Sequence, residues 1–292
     1  MTGTLVAAAS GIGFGLFQTL NIRAVRGMDP FASTFLQIFV AAVALGAAAA
    51  AAGGIDDLAD APAWALADFA GAGVLHFIAG WTCLNLSQKR IGAARTGPLL
   101  ITVPLFGMVI AAVTVGQLPA AVELPAIALM VLGAYVVASR GAGGRPARVA
   151  DALPALGCSF CWALSPVLTL RGLEGFDDPL LGLALGLAVS VVGYLVAFAV
   201  WRPVLNWRAI GRHTLGVKIA AGLLVGLSTW GRWAALEDTA VAVVLALNLL
   251  SVPVVLLGAP LTAGRHAEHV TARVWLGAAL IVSGSLLLIV LA

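Results

Sequence analysis

The sequence contains few charged residues. Only 10% of its 292 residues are Asp, Glu, Lys or Arg, whereas 61% are hydrophobic. Soluble domains carry about one quarter charged residues, because their surfaces face water. The composition therefore excludes an ordinary soluble protein. The formal net charge of +3 gives no reason to expect a nucleic-acid partner.

Cysteine is also scarce. Of the three cysteines, Cys158 and Cys161 form a CxxC pair, a pattern that can bind metal or carry out redox chemistry. No second pair of Cys or His accompanies it, so close helix packing is the simpler explanation. No GxxxxGK[ST] loop for nucleotide phosphates occurs either. We expect no metal, no cofactor and no nucleotide hydrolysis.

Apolar runs of about twenty residues dominate what remains, and this is the length that a helix needs to cross a bilayer. Because backbone groups in lipid must bond within their own segment, each run is expected to be a helix. Breakers or charged residues separate nearly all of the runs. The predicted spans are 4–24, 31–52, 64–87, 91–114, 122–139, 150–170, 180–200, 214–235, 239–262 and 271–291.

The cations are distributed unevenly between the two sides of these spans. Of the 16 Lys and Arg residues, 14 fall on one side, and only Arg171 and Arg232 fall on the other. The positive-inside rule places the basic loops in the cytoplasm. We therefore expect a multi-pass protein of the cell (inner) membrane, with both termini outside.

The chain repeats itself at an offset of about 149 residues. Residues 72–81 (AGVLHFIAGW) match residues 221–230 (AGLLVGLSTW), and the Asp-Pro pair at 29–30 recurs at 178–179. The Val-Pro pair at 103–104 recurs at 252–253. Each copy contains five spans, so the second copy enters the membrane upside down, as in many secondary transporters. The predicted fold is an all-α membrane protein of ten transmembrane helices in two inverted five-helix repeats, at 1–141 and 150–292, joined by a loop at 142–149.

At this level the chain resembles ten-helix members of the drug/metabolite transporter superfamily, built from two EamA-like domains. The resemblance is carried by Phe14-Gly15 and Trp162-Ala163 and by residues 84–106 (LNLSQKRIGAARTGPLLITVPLF) with their counterpart at 234–256. It implies a secondary carrier for a small metabolite, an exporter or exchanger that works by alternating access.

Polar and aromatic residues deep in the spans are the candidates for a substrate site, because polar groups are costly in hydrocarbon. Each also has a packing explanation, since Ser and Thr bond their own helix and amides bond between helices. The predicted substrate-binding residues are Gln18, Asn21, His76, Trp81, Asn85, Trp162, Ser165, Thr169, Trp230, Asn248 and Ser251.

His76 is the most informative candidate, because the residue that corresponds to it in the second copy is Val225 and because no Asp or Glu lies near the centre of any span. It is either a neutral imidazole bonded between helices or a group that contacts substrate or couples transport to protons. The expected cavity has no fixed central charge and suits a neutral, zwitterionic or aromatic metabolite such as an amino acid.

Two other functions stay open at this point. An integral membrane enzyme or lipid-handling protein would need reactive groups at an interface, and His266, Glu268 and His269 form one short cluster of that kind. A passive packing partner of another membrane protein is disfavoured, because both repeats lie in one chain. We expect a monomer or small homo-oligomer in a lipid bilayer, with a small-molecule substrate.

Overall fold

The structure is a computed structural model, which describes residues 2–53, 56–115, 121–138, 149–201, 210–238, 244, 247–263 and 270–291. These residues form helices and contain no strand. The main helices are α1 (Thr2–Arg26), α2 (Pro30–Ala52), α3 (Ala63–Ile91), α4 (Ala93–Leu100 and Val103–Val115), α5 (Leu124–Ala138), α6 (Leu153–Gly175), α7 (Pro179–Trp201), α8 (Arg212–Asp238), α9 (Ser251–Ala263) and α10 (Ala272–Leu291).

The helices follow the predicted spans in order. Seven are long and apolar enough to cross a membrane, namely α1, α2, α3, α6, α7, α8 and the stretch Ala93–Ile110 of α4. Shorter apolar helices occur within α5, α9 and α10. The prediction of an all-α membrane protein is confirmed. The first part of the predicted span 239–262 and most of the loop 142–149 lie outside the described residues.

The repeated Asp-Pro pairs begin two helices in the same way. The Asp29 carboxylate accepts hydrogen bonds from the backbone N–H groups of Phe31 and Ala32, at 2.8 and 3.3 Å. Asp178 accepts bonds from Leu180 and Leu181, both at 2.9 Å. A side-chain oxygen at this position satisfies donors of the first turn, and proline fits the first helical position because its missing N–H is not needed there.

The repeated Val-Pro pairs mark two broken helices. In α4 the helix stops at Leu100 and resumes at Val103, and in α9 the described helix starts at Ser251 after a turn at 249–250. Pro104 and Pro253 explain the breaks, since proline lacks an N–H and its ring clashes with the carbonyl four residues earlier. Both breaks lie in the interior of the apolar sequence.

Contacts between the two halves occur in matched pairs. Helix α1 packs against α8 and α9, and their counterparts α6, α3 and α4 pack in the same combination. Helices α2 and α7 also pack together, as do α5 and α10. The crossing of α3 and α7 requires glycine, because a Cβ on Gly73 would lie 2.6 Å from the Gly186 Cα. This pairing encloses a central space between the halves.

Candidate functional site

A cavity of about 240 Å³ lies between the two halves. Helices α1, α3 and α4 contribute to it from the first half, and α6, α8 and α10 and the region before α9 contribute from the second. Its polar or charged lining side chains are His76, Trp162, Ser165, Thr169, Arg232, Asn248 and Ser285, and its apolar lining includes Phe14, Leu100, Ile101, Val103 and Trp233.

His76 and Arg232 form the polar centre of this cavity. The Arg232 Nη2 lies 3.3 Å from the His76 Nε2, and the His76 Nδ1 lies 2.9 Å from the Ser165 hydroxyl. A guanidinium only donates hydrogen bonds, so Nε2 must be the acceptor and Nδ1 carries the ring proton. His76 is therefore a neutral imidazole that orients the guanidinium of Arg232.

Aromatic rings form one wall beside this pair. The Trp162 ring stacks on the His76 ring, with centroids 5.2 Å apart and an interplanar angle of 15°. Phe14 meets Trp162 edge-on at 5.4 Å. The Trp162 Nε1 donates to the His76 carbonyl at 3.3 Å, so the indole is fixed in place. Such a wall favours a flat or apolar ligand group.

The backbone of α3 is unusual where His76 lies. Val74–Gly80 forms a π-helical segment between two α-helical parts, and single π turns of this kind occur frequently at functional sites. Gly80 allows Trp162 to approach, because a Cβ there would lie 2.5 Å from the indole Nε1. The π segment and this glycine together set the distance between α3 and α6 at the cavity.

The broken helices also border the cavity. Leu100, Ile101 and Val103 line it beside the break in α4, and Asn248 and Leu249 line it beside the break in α9. The segments that follow, Val103–Val115 and Ser251–Ala263, begin at this level. Helix N-termini carry partial positive charge, so both segments add to the positive potential that Arg232 supplies.

The structure brings together part of the predicted set of site residues. The cavity is lined by His76, Trp162, Ser165, Thr169 and Asn248. Ser251 lies next to it, where its hydroxyl donates to the Asn248 carbonyl at 2.8 Å. Trp81 is fully buried behind the cavity and packs against Phe77, with ring centroids 4.8 Å apart.

The other predicted residues lie away from the cavity. Asn21 and Asn85 belong to a separate buried polar cluster nearer one end of the bundle. Gln18 is fully buried, and neither polar atom of its side chain has a hydrogen-bond partner among the described residues. Trp230 is 38% exposed and is absent from the cavity lining, whereas Trp233, three residues later, lines it.

Two cations correct the sequence analysis. The sequence analysis places Arg232 at a membrane edge, but Arg232 lines the cavity, so the expectation of a cavity without a fixed central charge is wrong. Lys218 was counted among the cations of the basic side, but its side chain is fully buried inside the bundle. Their positions in α8 could have indicated that both are buried, because Lys218 lies six residues after the start of the helix and Arg232 lies six residues before its end.

No metal-binding group of three or more His, Cys, Asp or Glu residues occurs in the part of the chain that the structure describes. Cys83, Cys158 and Cys161 are free thiols. His266, Glu268 and His269 lie outside the described residues.

Comparisons with known proteins agree with this architecture. Residues 1–139 match the model of the EamA-like transporter family, and no curated protein matches the chain. A solved structure titled "Crystal structure of protein" is similar in fold, with a TM-score of 0.63 and 20% sequence identity over 99% of this chain and 97% of that chain. The family match points to a membrane transporter rather than an enzyme. Residues 1–139 are similar to the EamA-like transporter family, which belongs to the drug/metabolite transporter superfamily.

Proposed function

We propose that the protein is a secondary transporter that carries a small zwitterionic metabolite with an aromatic or apolar side chain, such as an aromatic amino acid, by alternating access. The observation that carries this proposal is the position of Arg232 in a mostly apolar cavity with aromatic walls between the halves. A guanidinium has five N–H donors, and its planar geometry suits a carboxylate, which can accept two of them at once.

The surroundings of Arg232 favour a ligand with one negative group. Among the described residues that line the cavity, Arg232 is the one cation and none is acidic. A multiply charged phosphate would call for several Arg or Lys residues. The aromatic rings of Phe14 and Trp162 suit an apolar or aromatic side chain and attract an ammonium group through their faces.

Alternating access requires two units that can exchange roles. We assign the units to residues 1–141 and 150–292, inserted in opposite directions and joined by 142–149. The matched helix caps at Asp29 and Asp178, the matched breaks in α4 and α9 and the paired contacts of the halves support this assignment. Rocking one unit against the other would expose the cavity to each side in turn.

The cavity extends away from the helix ends that carry most cations. Thr169 and Arg232 lie six residues before the ends of α6 and α8, where the predicted outer loops begin. With the basic loops in the cytoplasm, the structure corresponds to a state closer to outward-facing. We propose an inner-membrane exporter or exchanger with both termini outside.

The experiment is counterflow in proteoliposomes. Vesicles loaded with unlabelled L-phenylalanine should accumulate labelled L-phenylalanine, because an exchanger turns over at equal total concentrations without another energy source. Protein-free vesicles are the control and should give little uptake, and Arg232→Met should take up less than the wild type at low L-phenylalanine concentration. Exchange of phenethylamine or a sugar, without exchange of phenylalanine, would contradict the substrate class.

A further inference from the structure

Lys218 lies on α8 at the opposite end from Arg232. Its side chain is fully buried, six residues from the start of the helix. A charged group within a membrane span is costly and commonly marks a substrate or ion pathway. The cavity that contains Arg232 does not include Lys218, so the role of this lysine needs a separate explanation.

Two amide side chains hold Lys218 in place, and two more bond to one of them. Its Nζ donates to the Asn21 Oδ1 at 2.5 Å and to the Gln37 Oε1 at 2.8 Å. The Asn21 Nδ2 donates to the Asn85 Oδ1 at 2.9 Å and to the Gln88 Oε1 at 2.7 Å. These five residues, here called the Lys218 cluster, join α1, α2, α3 and α8. None of the hydrogen-bond partners of Lys218 in the described part of the chain is acidic.

The unsatisfied groups of the cluster are donors. The Gln37 Nε2 and Gln88 Nε2 are buried and have no hydrogen-bond partner among the described residues. A buried polar group without a hydrogen-bond partner destabilises the fold. The ammonium of Lys218 has three N–H groups and gives two of them to amide oxygens. The cluster therefore has spare donors and positive charge, which suit an anion and not a cation.

Lys218 and Gln37 have nonpolar counterparts in the other half. At the repeat offset of 149 residues, Lys218 corresponds to Phe69 and Gln37 corresponds to Gly186. Phe69 is fully buried and packs on Gly172 and Gly182. At the Phe69 end the helices pack with nonpolar residues alone. Packing therefore does not require Lys218 and Gln37 at the other end.

Lys218 and Arg232 lie on nearly the same face of α8. Their separation of fourteen residues corresponds to about 21 Å along the axis and about 40° around it. Ala221 and Val225 lie between them and are fully buried in the central core. One helix thus presents a cation near each end of the path that a substrate would follow between the two sides.

We propose that Lys218, with the Gln37 and Gln88 amides, is a second anion site that binds the substrate carboxylate when the helices at this end separate. This site rests on the proposed function and adds a second position for the same ligand group. The Lys218 cluster closes this end in the present structure. On opening, the carboxylate leaves Arg232 and replaces the amide oxygens as acceptor for the ammonium.

The first test compares binding of a carboxylate and of its amide, and it does not depend on transport. Thermal unfolding of detergent-purified protein is measured with sodium phenylacetate or with phenylacetamide, for the wild type, Arg232→Met, Lys218→Met and the double variant. Ligand binding to either open form stabilises the fold by mass action. Phenylacetate should still stabilise Arg232→Met, and the double variant should lose this effect.

Matched controls keep the result specific. Methionine keeps the length of the lysine stem but leaves the Asn21 and Gln37 oxygens without their lysine donor, so the effect of each ligand is measured against the unfolding temperature of the same variant without ligand. Lys89→Met removes the other lysine of the chain, which lies at the same end and donates to the Met28 carbonyl at 2.8 Å, and it should change nothing. If the Arg232→Met substitution by itself abolishes the stabilisation by phenylacetate, the second site is overturned. If sodium chloride stabilises the protein as much as sodium phenylacetate does, the assignment of the site to a carboxylate is overturned.

The second test uses transport from each side of oriented vesicles. Lys218→Met should raise the KM for L-phenylalanine at the basic-loop face at least tenfold, with little change at the other face or for L-phenylalaninamide. Equal changes at both faces, or for both ligands, would mean that Lys218 only holds the end closed. Absence of transport in the wild type would contradict the proposed function, and the unfolding measurement would still decide the anion site.

Discussion

Replacing Arg232 with methionine should weaken binding of substrates that carry a carboxylate. Arg232 lines the cavity and is held by the His76 Nε2 at 3.3 Å. Methionine fills similar space but offers no donor. A hydrogen bond to a charged group contributes about 1.5–3 kcal/mol, and about 1.4 kcal/mol corresponds to a tenfold change in affinity. We therefore expect a loss of about 10- to 150-fold for L-phenylalanine.

The assay is competition between unlabelled ligand and labelled L-phenylalanine in proteoliposome counterflow, with L-phenylalaninamide as the ligand that lacks a carboxylate. The amide should bind the wild type and the variant with similar affinity. Arg171→Met is the matched control, since Arg171 is half-exposed and pairs with Asp68 at 3.5 Å, outside the cavity lining. Equal weakening of both ligands, or unchanged phenylalanine affinity, would refute a carboxylate contact at Arg232.

Three further predictions concern the cavity and the packing. Trp162→Ala should reduce the preference for aromatic over aliphatic amino acids about 2- to 10-fold, measured as the ratio of competition constants, because it removes an aromatic face worth about 0.5–1.5 kcal/mol; an unchanged ratio would exclude this ring as a ligand contact. Protonation of His76 would turn the acceptor of Arg232 into a second cation, so the affinity for a carboxylate should rise toward acidic pH in the wild type and stay level in His76→Gln. Arg232 is the one charged group that contacts His76 among the described residues. Identical pH profiles of the two proteins would refute the coupling. Gly73→Ala should lower the thermal stability of the purified protein because the new Cβ meets the backbone of α7, whereas Gly46→Ala, with nothing within 4 Å of the new Cβ, should leave it equal or slightly higher; matched stabilities would contradict the close crossing.

The helices could be predicted because the bilayer imposes a local rule on the sequence. Each span must satisfy its own backbone, so length and apolar content alone locate it. The breaks in α4 and α9 follow from Pro104 and Pro253, and the cap of α2 follows from Asp29, since each depends on residues within one turn.

The candidate site was predicted less completely, because it depends on how each helix is rotated. Helix α8 is apolar around most of its circumference, so the sequence gives no face that must point inward. The sequence analysis selects Trp230, yet Trp233, three residues later, lines the cavity. Arg232 was assigned to a membrane edge because cations usually lie there, and only the fold brings it against His76.

The polar residues of α1 and α3 were recognised correctly as unusual for a membrane span, but the sequence did not separate their two surroundings. His76 contacts Arg232 in the cavity, whereas Asn21 and Asn85 bond to each other near Lys218. Asn85 lies nine residues after His76 in α3. Which of them faces a cavity depends on the packing of α6 and α8 against α3.

The central claim is that the cavity between the two units opens to each side of the membrane in turn. The most direct measurement places one cysteine at Thr169, which lines the cavity, in a variant with Cys83, Cys158 and Cys161 replaced by alanine. A membrane-impermeant thiol reagent is applied to oriented vesicles from either face, with and without L-phenylalanine. We predict modification from both faces, slowed by the amino acid, and modification from one face only under every condition would contradict alternating access.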